Sequence, residues 1–217
     1  MTEAVAFDLD GVLVDSEQVW NEAKRELVER SGGRWREEAT TKMLGMSSPE
    51  WSRYLHDELA VPLDPEEIND AVVARILELY RERLPLLPGA VAAVRRFAER
   101  WPLALATSSN REVIDLFLEL SGLGGAFEAT VSSEEVERGK PAPDVYLEAL
   151  SRLGVAPARC AAIEDSSNGL RAAAAAGTAV VAVPNPHFPP DPDALALAEL
   201  VVHSLDDLAV EVVERLR

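Results

Sequence analysis

The chain has 217 residues, of which 47% are hydrophobic, enough for a sizeable core together with an insertion or a second small domain. Its formal net charge of −17 repels nucleic acid and anionic lipid, so we expect neither as a partner. A single cysteine, Cys160, excludes an internal disulfide framework and a cysteine-based zinc cluster. No apolar run reaches membrane length and no secretion signal is visible, which predicts a cytoplasmic protein.

The first predicted strand leads into two closely spaced aspartates. An apolar run from Ala4 to Phe7 precedes Asp8, Asp10 and Gly11, which predicts a short buried parallel strand that ends in a turn. Residues i and i+2 of a strand point to the same face, so the two carboxylates converge if the strand geometry persists. Burying both is costly without a cation or a shared proton. The pair indicates either a metal site in which one carboxylate is a nucleophile, or a simple aspartate turn.

The segment of residues 17–84 shows helical periodicity throughout. The spacing of its apolar residues predicts helices over Glu17–Arg30 and Glu37–Leu44. Two more helices are predicted after the N-cap candidates Ser48 and Asp64, each of which precedes a proline. Because this segment follows the first strand, it is predicted to form an inserted all-helical cap domain above the aspartate turn.

Helices and strands alternate from residue 85 onwards. Further strands are predicted at residues 103–106, 129–131, 161–163, 179–183 and 200–202. One intervening helix is predicted to begin at Pro141, and the last helix is predicted to have Ser204 as its N-cap. The alternation predicts a Rossmann-like α/β core, with a doubly wound parallel sheet covered on both faces. This core domain comprises residues 1–16 and 85–217, and the cap domain comprises residues 17–84.

Polar side chains follow four of the predicted strands. They are Asp8 with Asp10, Thr107 with Ser108 and Ser109, Lys140, and Glu164 with Asp165. Parallel strands end at the same edge of a sheet, so these groups are expected to lie together. Paired carboxylates suit a hard cation such as Mg²⁺, a hydroxyl at a strand-to-helix turn suits a phosphate oxygen, and a lysine can neutralise both. Such local positive charge is needed because a net charge of −17 would repel a phosphorylated substrate.

Each of these groups also has a simpler structural explanation. Thr107 could cap the following helix, although we assign capping to Ser109 or Asn110 and phosphate contact to Thr107. Lys140 could be a solvated surface lysine, although its position between a glycine and a proline favours a fixed direction. The acids at 164–165 could mark a helix N-terminus, where negative charge suits the helix dipole.

Together the four groups resemble the haloacid dehalogenase-like hydrolase superfamily. The motifs stand in family order and span the chain: Asp8-x-Asp10-Gly11-x-Leu13-x-Asp15-Ser16, then Thr107, then Gly139-Lys140-Pro141, then Ile163-Glu164-Asp165-Ser166. Four motifs in order, each at a predicted strand end, are highly specific. The position of the helical insertion resembles the subgroup that contains β-phosphoglucomutase and small sugar-phosphate phosphatases.

The resemblance implies a role for each matched residue. Asp8 would attack the phosphoryl group and become an aspartyl-phosphate, while Asp10 would protonate the leaving oxygen and then activate water. The transferring phosphoryl group would be bound by Thr107, Ser108 and Lys140. A Mg²⁺ cofactor would be held by the Asp8 side chain, the Asp10 carbonyl and Asp165, with Glu164 bound directly or through water.

Three observations select a reaction within this superfamily. Asp10 disfavours dehalogenation, because displacing a halide needs no general acid. Mutase relatives carry a His in the first cap helix and an Arg after the cap's glycine loop, whereas the chain has Trp20 in that helix and Met46 after Gly45. We therefore predict a Mg²⁺-dependent phosphatase for a small sugar- or polyol-phosphate-like phosphomonoester. A β-phosphoglucomutase-like phosphomutase and a non-catalytic phosphate- or Mg²⁺-binding protein are the alternatives.

Substrate specificity is predicted to come from the cap, because the core motifs contact only the phosphoryl group. The candidates are Glu17, Trp20, Lys42, Met43, Met46 and Trp51. Glu17 and Lys42 could hydrogen-bond to hydroxyls of a sugar or polyol, whereas Trp20 could equally belong to the cap's own core. The expected partner is a small phosphorylated metabolite, and we expect the protein to be a monomer.

Overall fold

A parallel sheet of six strands forms the centre of the computed structural model, which describes residues 1–43 and 46–216. The strands are β1 (Ala4–Phe7), β2 (Leu103–Thr107), β3 (Ala129–Ser132), β4 (Cys160–Glu164), β5 (Ala179–Ala182) and β6 (Leu200–Val201). They lie in the order β3-β2-β1-β4-β5-β6, and every neighbouring pair is parallel, which confirms the predicted sheet. The chain order reverses at β1, and open sheets of this type bind ligands beside that point, at the carboxyl ends of the strands.

Helices cover both faces of this sheet. Within the described residues they are α1 (Glu17–Arg30), α2 (Glu38–Met43), α3 (Ser48–Asp57), α4 (Pro65–Glu82), α5 (Ala90–Ala98), α6 (Arg111–Ser121), α7 (Asp144–Leu153), α8 (Ser167–Ala176), α9 (Pro192–Leu195) and α10 (Val210–Val213). Alternate residues of a strand face opposite sides, so Val5 and Phe7 pack with α5 and α6, whereas Ala4 and Ala6 pack with α7 and α8.

The four helices α1 to α4 lie between β1 and α5 and share a hydrophobic cluster of their own. Trp51 and Leu55 of α3 pack there with Ile76 of α4, and the cluster extends to Val113 and Leu116 of α6. The predicted helical insertion after the first strand is therefore present, and it packs on the sheet-covering layer through α6. None of the helices in residues 1–43 and 46–216 combines the length and apolarity needed to cross a membrane.

Two predicted helix starts in the second half of the chain are wrong. Helix α7 begins at Asp144 and not at Pro141, because Pro143 disfavours the helical conformation in the residue before it. Helix α10 begins at Val210. The predicted N-cap of that helix, Ser204, instead accepts a backbone hydrogen bond within a turn, at 3.1 Å.

One cap in the helical insertion is displaced by a single residue. Ser47, and not Ser48, is the N-cap of α3, because its backbone N–H donates to the Glu50 carboxylate at 2.8 Å. This bond is half of a capping box, and Glu50 stands at the third helical position that such a box requires. The predicted end of α2 at Leu44 and the predicted loop residue Gly45 lie outside the described residues.

Candidate active site

The carboxyl ends of β1, β2 and β4 meet at one cavity beneath the helical insertion. The Asp8 N–H donates to the Ile163 carbonyl at 3.0 Å, which carries the pairing of β1 with β4 one residue beyond the strand. Predicted residues that line the cavity are Asp8, Asp10, Glu17, Trp20, Met46, Thr107, Ser108, Lys140 and Asp165. The remaining core residue, Glu164, is fully buried and contacts Lys140. The structure therefore brings all the predicted core motifs together.

Three buried carboxylates form the most acidic part of this site. Asp8, Glu164 and Asp165 each offer an oxygen, and these oxygens lie within 4.8 Å of one another. Two glycines make room for them. A Cβ at Gly169 would lie 1.9 Å from Glu164 Oε2, and a Cβ at Gly11 would lie 1.9 Å from Asp165 Oδ2. The carboxylates lie too close to both glycines for any side chain to fit there. Gly11 also has a φ of +74°, which favours glycine.

The carboxylate cluster is electrostatically unfavourable without a compensating cation. Burial, and after it the charge of Glu164, raise the pKa of Asp8 to about 8, although Lys140 opposes this shift. Burial also raises the pKa of Asp165 well above its ordinary value, with added repulsion from Glu164 and Asp8. Oxygen donors alone, close together and buried, match the requirements of a hard divalent cation such as Mg²⁺. The residues present therefore fit that ion.

Lys140 supplies a fixed positive charge beside the cluster. Its Nζ lies 3.0 Å from Asp8 Oδ1 and 2.6 Å from Glu164 Oε1. The Tyr146 hydroxyl donates to the same Glu164 oxygen at 2.6 Å, so Glu164 is anchored and in turn positions the lysine. Burial alone would lower the pKa of Lys140, but the charges of Asp8 and Glu164 outweigh it and hold the pKa above its ordinary value. The lysine is therefore an ammonium group.

Asp10 has different partners from Asp8, although only one residue separates them. Its Oδ2 accepts hydrogen bonds from Ser109 Oγ at 2.5 Å and from Thr107 Oγ1 at 3.3 Å. Its Oδ1 accepts one from Trp20 Nε1 at 3.2 Å. Ser109, which we assigned to helix capping, therefore belongs to the site, and Asn110 occupies the N-cap position of α6. The Asp10 side chain is not part of the carboxylate cluster found among the described residues.

The helical insertion contributes one lysine to the cavity, but not the predicted one. Lys42 is exposed on α2, because the buried side of that short helix carries Ala39 and Met43. Lys24 of α1 lines the cavity instead and is only 8% exposed. The sequence held a signal for it, since Lys24 follows Trp20 by four residues and therefore shares a helix face with it.

One core side chain ties the insertion to the sheet domain. Asn110 Nδ2 donates to Asn69 Oδ1 of α4 at 3.3 Å and to Glu134 Oε1 at 2.6 Å. Asn110 Oδ1 accepts a hydrogen bond from Ser48 Oγ of α3 at 3.2 Å. Asn110 is almost fully buried, so these bonds are shielded from water. They hold two helices of the insertion against the start of α6.

Replacing Asn110 by alanine should loosen this contact between the insertion and α6. Each lost hydrogen bond contributes roughly 0.5–1.5 kcal/mol, so losing all three should lower the free energy of unfolding by about 1.5–4.5 kcal/mol. Amide hydrogen exchange should accelerate in α3 and α4 but not in the central strands. Ser121→Ala, at the far end of α6, is the matched control. Unchanged exchange in α3 and α4 would show that Asn110 does not hold the insertion in place.

A family model for haloacid dehalogenase-like hydrolases matches residues 2–177. The chain belongs to this family. The predicted superfamily and the prediction of a hydrolase enzyme are thereby confirmed. All the predicted motifs lie within the matched range.

Solved structures and curated sequences of this family resemble the chain over nearly its full length. Hexitol phosphatase B of Escherichia coli (strain K12) is 34% identical over 212 residues, which cover 96% of this chain and 95% of that protein. A bifunctional riboflavin kinase/FMN phosphatase of Arabidopsis thaliana is 32% identical over 213 residues, 97% of this chain, and the chain spans 55% of its length. The crystal structure of CbbY from Rhodobacter sphaeroides in complex with phosphate superposes with a TM-score of 0.88 at 28% identity, covering 99% of this chain and 100% of that one.

In this haloacid dehalogenase-like hydrolase, Mg²⁺ should raise the Tm more at about pH 8 than at about pH 6. The pKa of Asp8 is raised from 3.8 to about 8, so the folded protein retains a proton at pH 6 that the unfolded chain has lost. Without a cation, stability should therefore fall as the pH rises from about 4 to about 8. A cation must displace that proton, which weakens its apparent affinity by about tenfold per pH unit below the pKa.

Thermal unfolding in Mg²⁺ and in EDTA at the two pH values measures this difference. In Asp165→Asn the Mg²⁺-dependent shift should disappear, because one of the three carboxylates is removed. Glu128→Gln, which changes an acid outside the cavity, serves as the control for the loss of a single negative charge. An equal shift at both pH values would contradict the proton displacement.

Proposed function

We propose that the chain is a Mg²⁺-dependent phosphatase that hydrolyses a small sugar- or polyol-phosphate-like phosphomonoester through an aspartyl-phosphate. The observation that carries the proposal is the separate anchoring of two aspartates. Asp8 lies buried against Lys140, whereas Asp10 is held by hydroxyl groups at the cavity wall. Hexitol phosphatase B, a relative that aligns with almost the entire chain, supports this substrate class.

Asp8 is the proposed nucleophile. Its Oδ1 accepts a hydrogen bond from the Leu9 N–H at 2.8 Å and lies 3.0 Å from Lys140 Nζ. Because Oδ1 carries both contacts, we assign the attack on phosphorus to Oδ2. The new bond joins Oδ2 to phosphorus while the bond between phosphorus and the ester oxygen breaks. Covalent catalysis of this type divides one difficult displacement into two easier ones.

Asp10 is the proposed general acid and base. In the first step it gives its proton to the departing ester oxygen, which leaves as an alcohol. In the second step it takes a proton from a water molecule whose oxygen attacks phosphorus, and Asp8 is released together with inorganic phosphate. The hydrogen bonds from Ser109 and Trp20 fix the direction of the Asp10 carboxyl group for both transfers.

Charge neutralisation is divided between the chain's own groups and the cation. Lys140 faces the attacking carboxylate and, with Thr107 and Ser108, binds the phosphoryl oxygens. Mg²⁺ would be held by the Asp8 and Asp165 carboxylates and the Asp10 carbonyl, with Glu164 bound directly or through water. When bound there, it would neutralise charge on the phosphoryl group, which is the main requirement of phosphoryl transfer.

The domain division forms part of the same proposal. Residues 1–16 and 85–217 would form the core that carries the chemistry, and residues 17–84 would form the cap. Closure of such a cap excludes water and gates product release. We propose a monomer, located in the cytoplasm, whose partner is a small phosphorylated metabolite.

Release of phosphate from a panel of phosphomonoesters, with and without Mg²⁺, tests the proposal. We expect Mg²⁺-dependent release from one or more sugar or polyol phosphates in the wild type and none in Asp8→Asn. A wild type that releases phosphate from no substrate would refute the enzyme activity and favour a non-catalytic binding protein. Conversion of glucose 1-phosphate primed by a bis-phosphate, at a higher rate than hydrolysis, would favour the phosphomutase instead.

A further inference from the structure

Lys24 is a buried charged side chain of the cavity that neither the chemistry nor the family motifs explain. It lies on α1 and is 8% exposed. Its Nζ stands 4.8 Å from the ring centroid of Trp51 and 5.4 Å from that of Trp20. Among the described residues it has neither a hydrogen-bond acceptor nor an ion-pair partner within 4.0 Å. An ammonium group with three donors therefore opens into the cavity between two indole rings.

Two carboxylates act on this ammonium group from a distance. Burial lowers the pKa of Lys24 to about 8, and the charges of Glu17 and Asp10 oppose that shift. Burial likewise raises the pKa of Glu17, which also lines the cavity. Interaction with the faces of the two indole rings offsets part of the cost of burying the charge. A donor and an acceptor thus lie on one face of α1, seven residues or about two turns apart.

We propose that Lys24 and Glu17, between the indole rings of Trp20 and Trp51, form the subsite that binds hydroxyl groups of a neutral polyol leaving group. This inference rests on the proposed phosphatase function. Trp20 Nε1 donates to Asp10 at 3.2 Å, so the subsite adjoins the residue that protonates the leaving oxygen. Lys24 donates to one hydroxyl oxygen, Glu17 accepts from another, and the indole rings pack against the carbon chain.

The local charge favours a neutral leaving group over one that carries a second phosphate. Glu17 lies near enough to influence Lys24, so a second phosphate bound there would lie beside the Glu17 carboxylate. Like charges at such distances disfavour binding, and burial strengthens the repulsion. The subsite therefore suits hydroxyl groups and discriminates against bis-phosphates.

Kinetics of Lys24→Met with three classes of substrate test the subsite. The probes are a hexitol monophosphate, p-nitrophenyl phosphate, which has no hydroxyl groups, and a sugar bis-phosphate. We expect KM for the hexitol phosphate to rise roughly 10- to 100-fold with kcat nearly unchanged, the effect of losing one charged hydrogen bond. For p-nitrophenyl phosphate, kcat/KM should change less than about threefold, because this substrate makes no such bond.

The control is Arg25→Met, which removes the neighbouring exposed charge on α1 and should leave every constant unchanged. Binding of the hexitol phosphate to Asp8→Asn, with and without Lys24→Met, gives a readout independent of turnover. Equal losses with p-nitrophenyl phosphate, or no loss with the hexitol phosphate, would overturn the subsite. So would a wild-type preference for the bis-phosphate. If the wild type hydrolyses none of the three substrates, the proposed phosphatase function itself fails.

Discussion

Asp8→Asn should release no measurable phosphate, with kcat reduced by about 10,000-fold or more. An amide oxygen is a poor nucleophile, so no aspartyl-phosphate can form. The fold should be retained, because the substitution removes a charge whose burial is unfavourable. Burial raises the pKa of Asp8 to about 8, which means that its anionic form destabilises the folded state in the absence of a cation. The Tm measured in EDTA at about pH 8 should therefore stay the same or rise.

Loss of activity without loss of stability distinguishes a nucleophile from a structural residue. Stopped-assay phosphate release gives the activity, and acid-quenched reactions with labelled substrate show whether a phosphoenzyme forms. Asp15→Asn is the matched control, because Asp15 belongs to the same motif but is exposed and does not line the cavity. Persistent turnover in Asp8→Asn, with a phosphoenzyme still trapped, would assign the nucleophile to another residue.

The core of the site was predictable because it depends on strand ends. A short apolar run fixes β1, and parallel pairing then places the residues that follow β1, β2 and β4 on one edge. The position of each strand end was sufficient to predict that Asp8, Thr107 and Asp165 lie at this edge. Both β2 and β4 extend one residue further at their carboxyl ends than predicted, so Thr107 and Glu164 are the last residues of these strands. This extension of the strands leaves both residues at that edge of the sheet.

The cap side of the cavity was less predictable because it depends on the rotation of helices. Lys24 and Lys42 both lie on amphipathic helices, and both helices carry apolar residues on one side. The packing of α1 and α2 against the rest of the insertion determines which lysine reaches the cavity. That packing brings the indole rings of Trp20 and Trp51 beside Lys24. Periodicity identifies the helices but does not fix how they sit on the core.

Ser109 makes a contact that local sequence propensity does not predict. A serine just before a helix is favoured as an N-cap, and capping was the simpler assignment. The structure shows that its hydroxyl donates to Asp10 instead, two residues after β2 ends at Thr107. Local propensity describes one helix end, whereas the hydrogen bond depends on a partner 99 residues away. Such a contact follows only from the strand order.

Lys140→Met should reduce both activity and stability, which separates it from Asp8→Asn. Removing one partner of a buried ion pair costs about 3–5 kcal/mol, because the charges left behind are unpaired. Asp8 and Glu164 would lose their common cation, and the pKa of Asp8 is already raised by burial. We also expect kcat to fall by roughly 100- to 1,000-fold, the usual effect of removing one group that stabilises developing charge.

The pH dependence of this loss identifies its cause. Lys140 stays protonated at all pH values below its raised pKa, so its contribution in the wild type persists through the neutral range. In the variant, lowering the pH from about 8 to about 5 protonates Asp8, whose pKa is raised to about 8, and should restore part of the lost stability. Denaturant unfolding in EDTA at both pH values measures this recovery. Arg138→Met, which removes an exposed charge from the same loop, should show neither the loss nor the recovery. A destabilisation independent of pH would mean that Lys140 acts through packing, and the three carboxylates would then require neutralisation by another group.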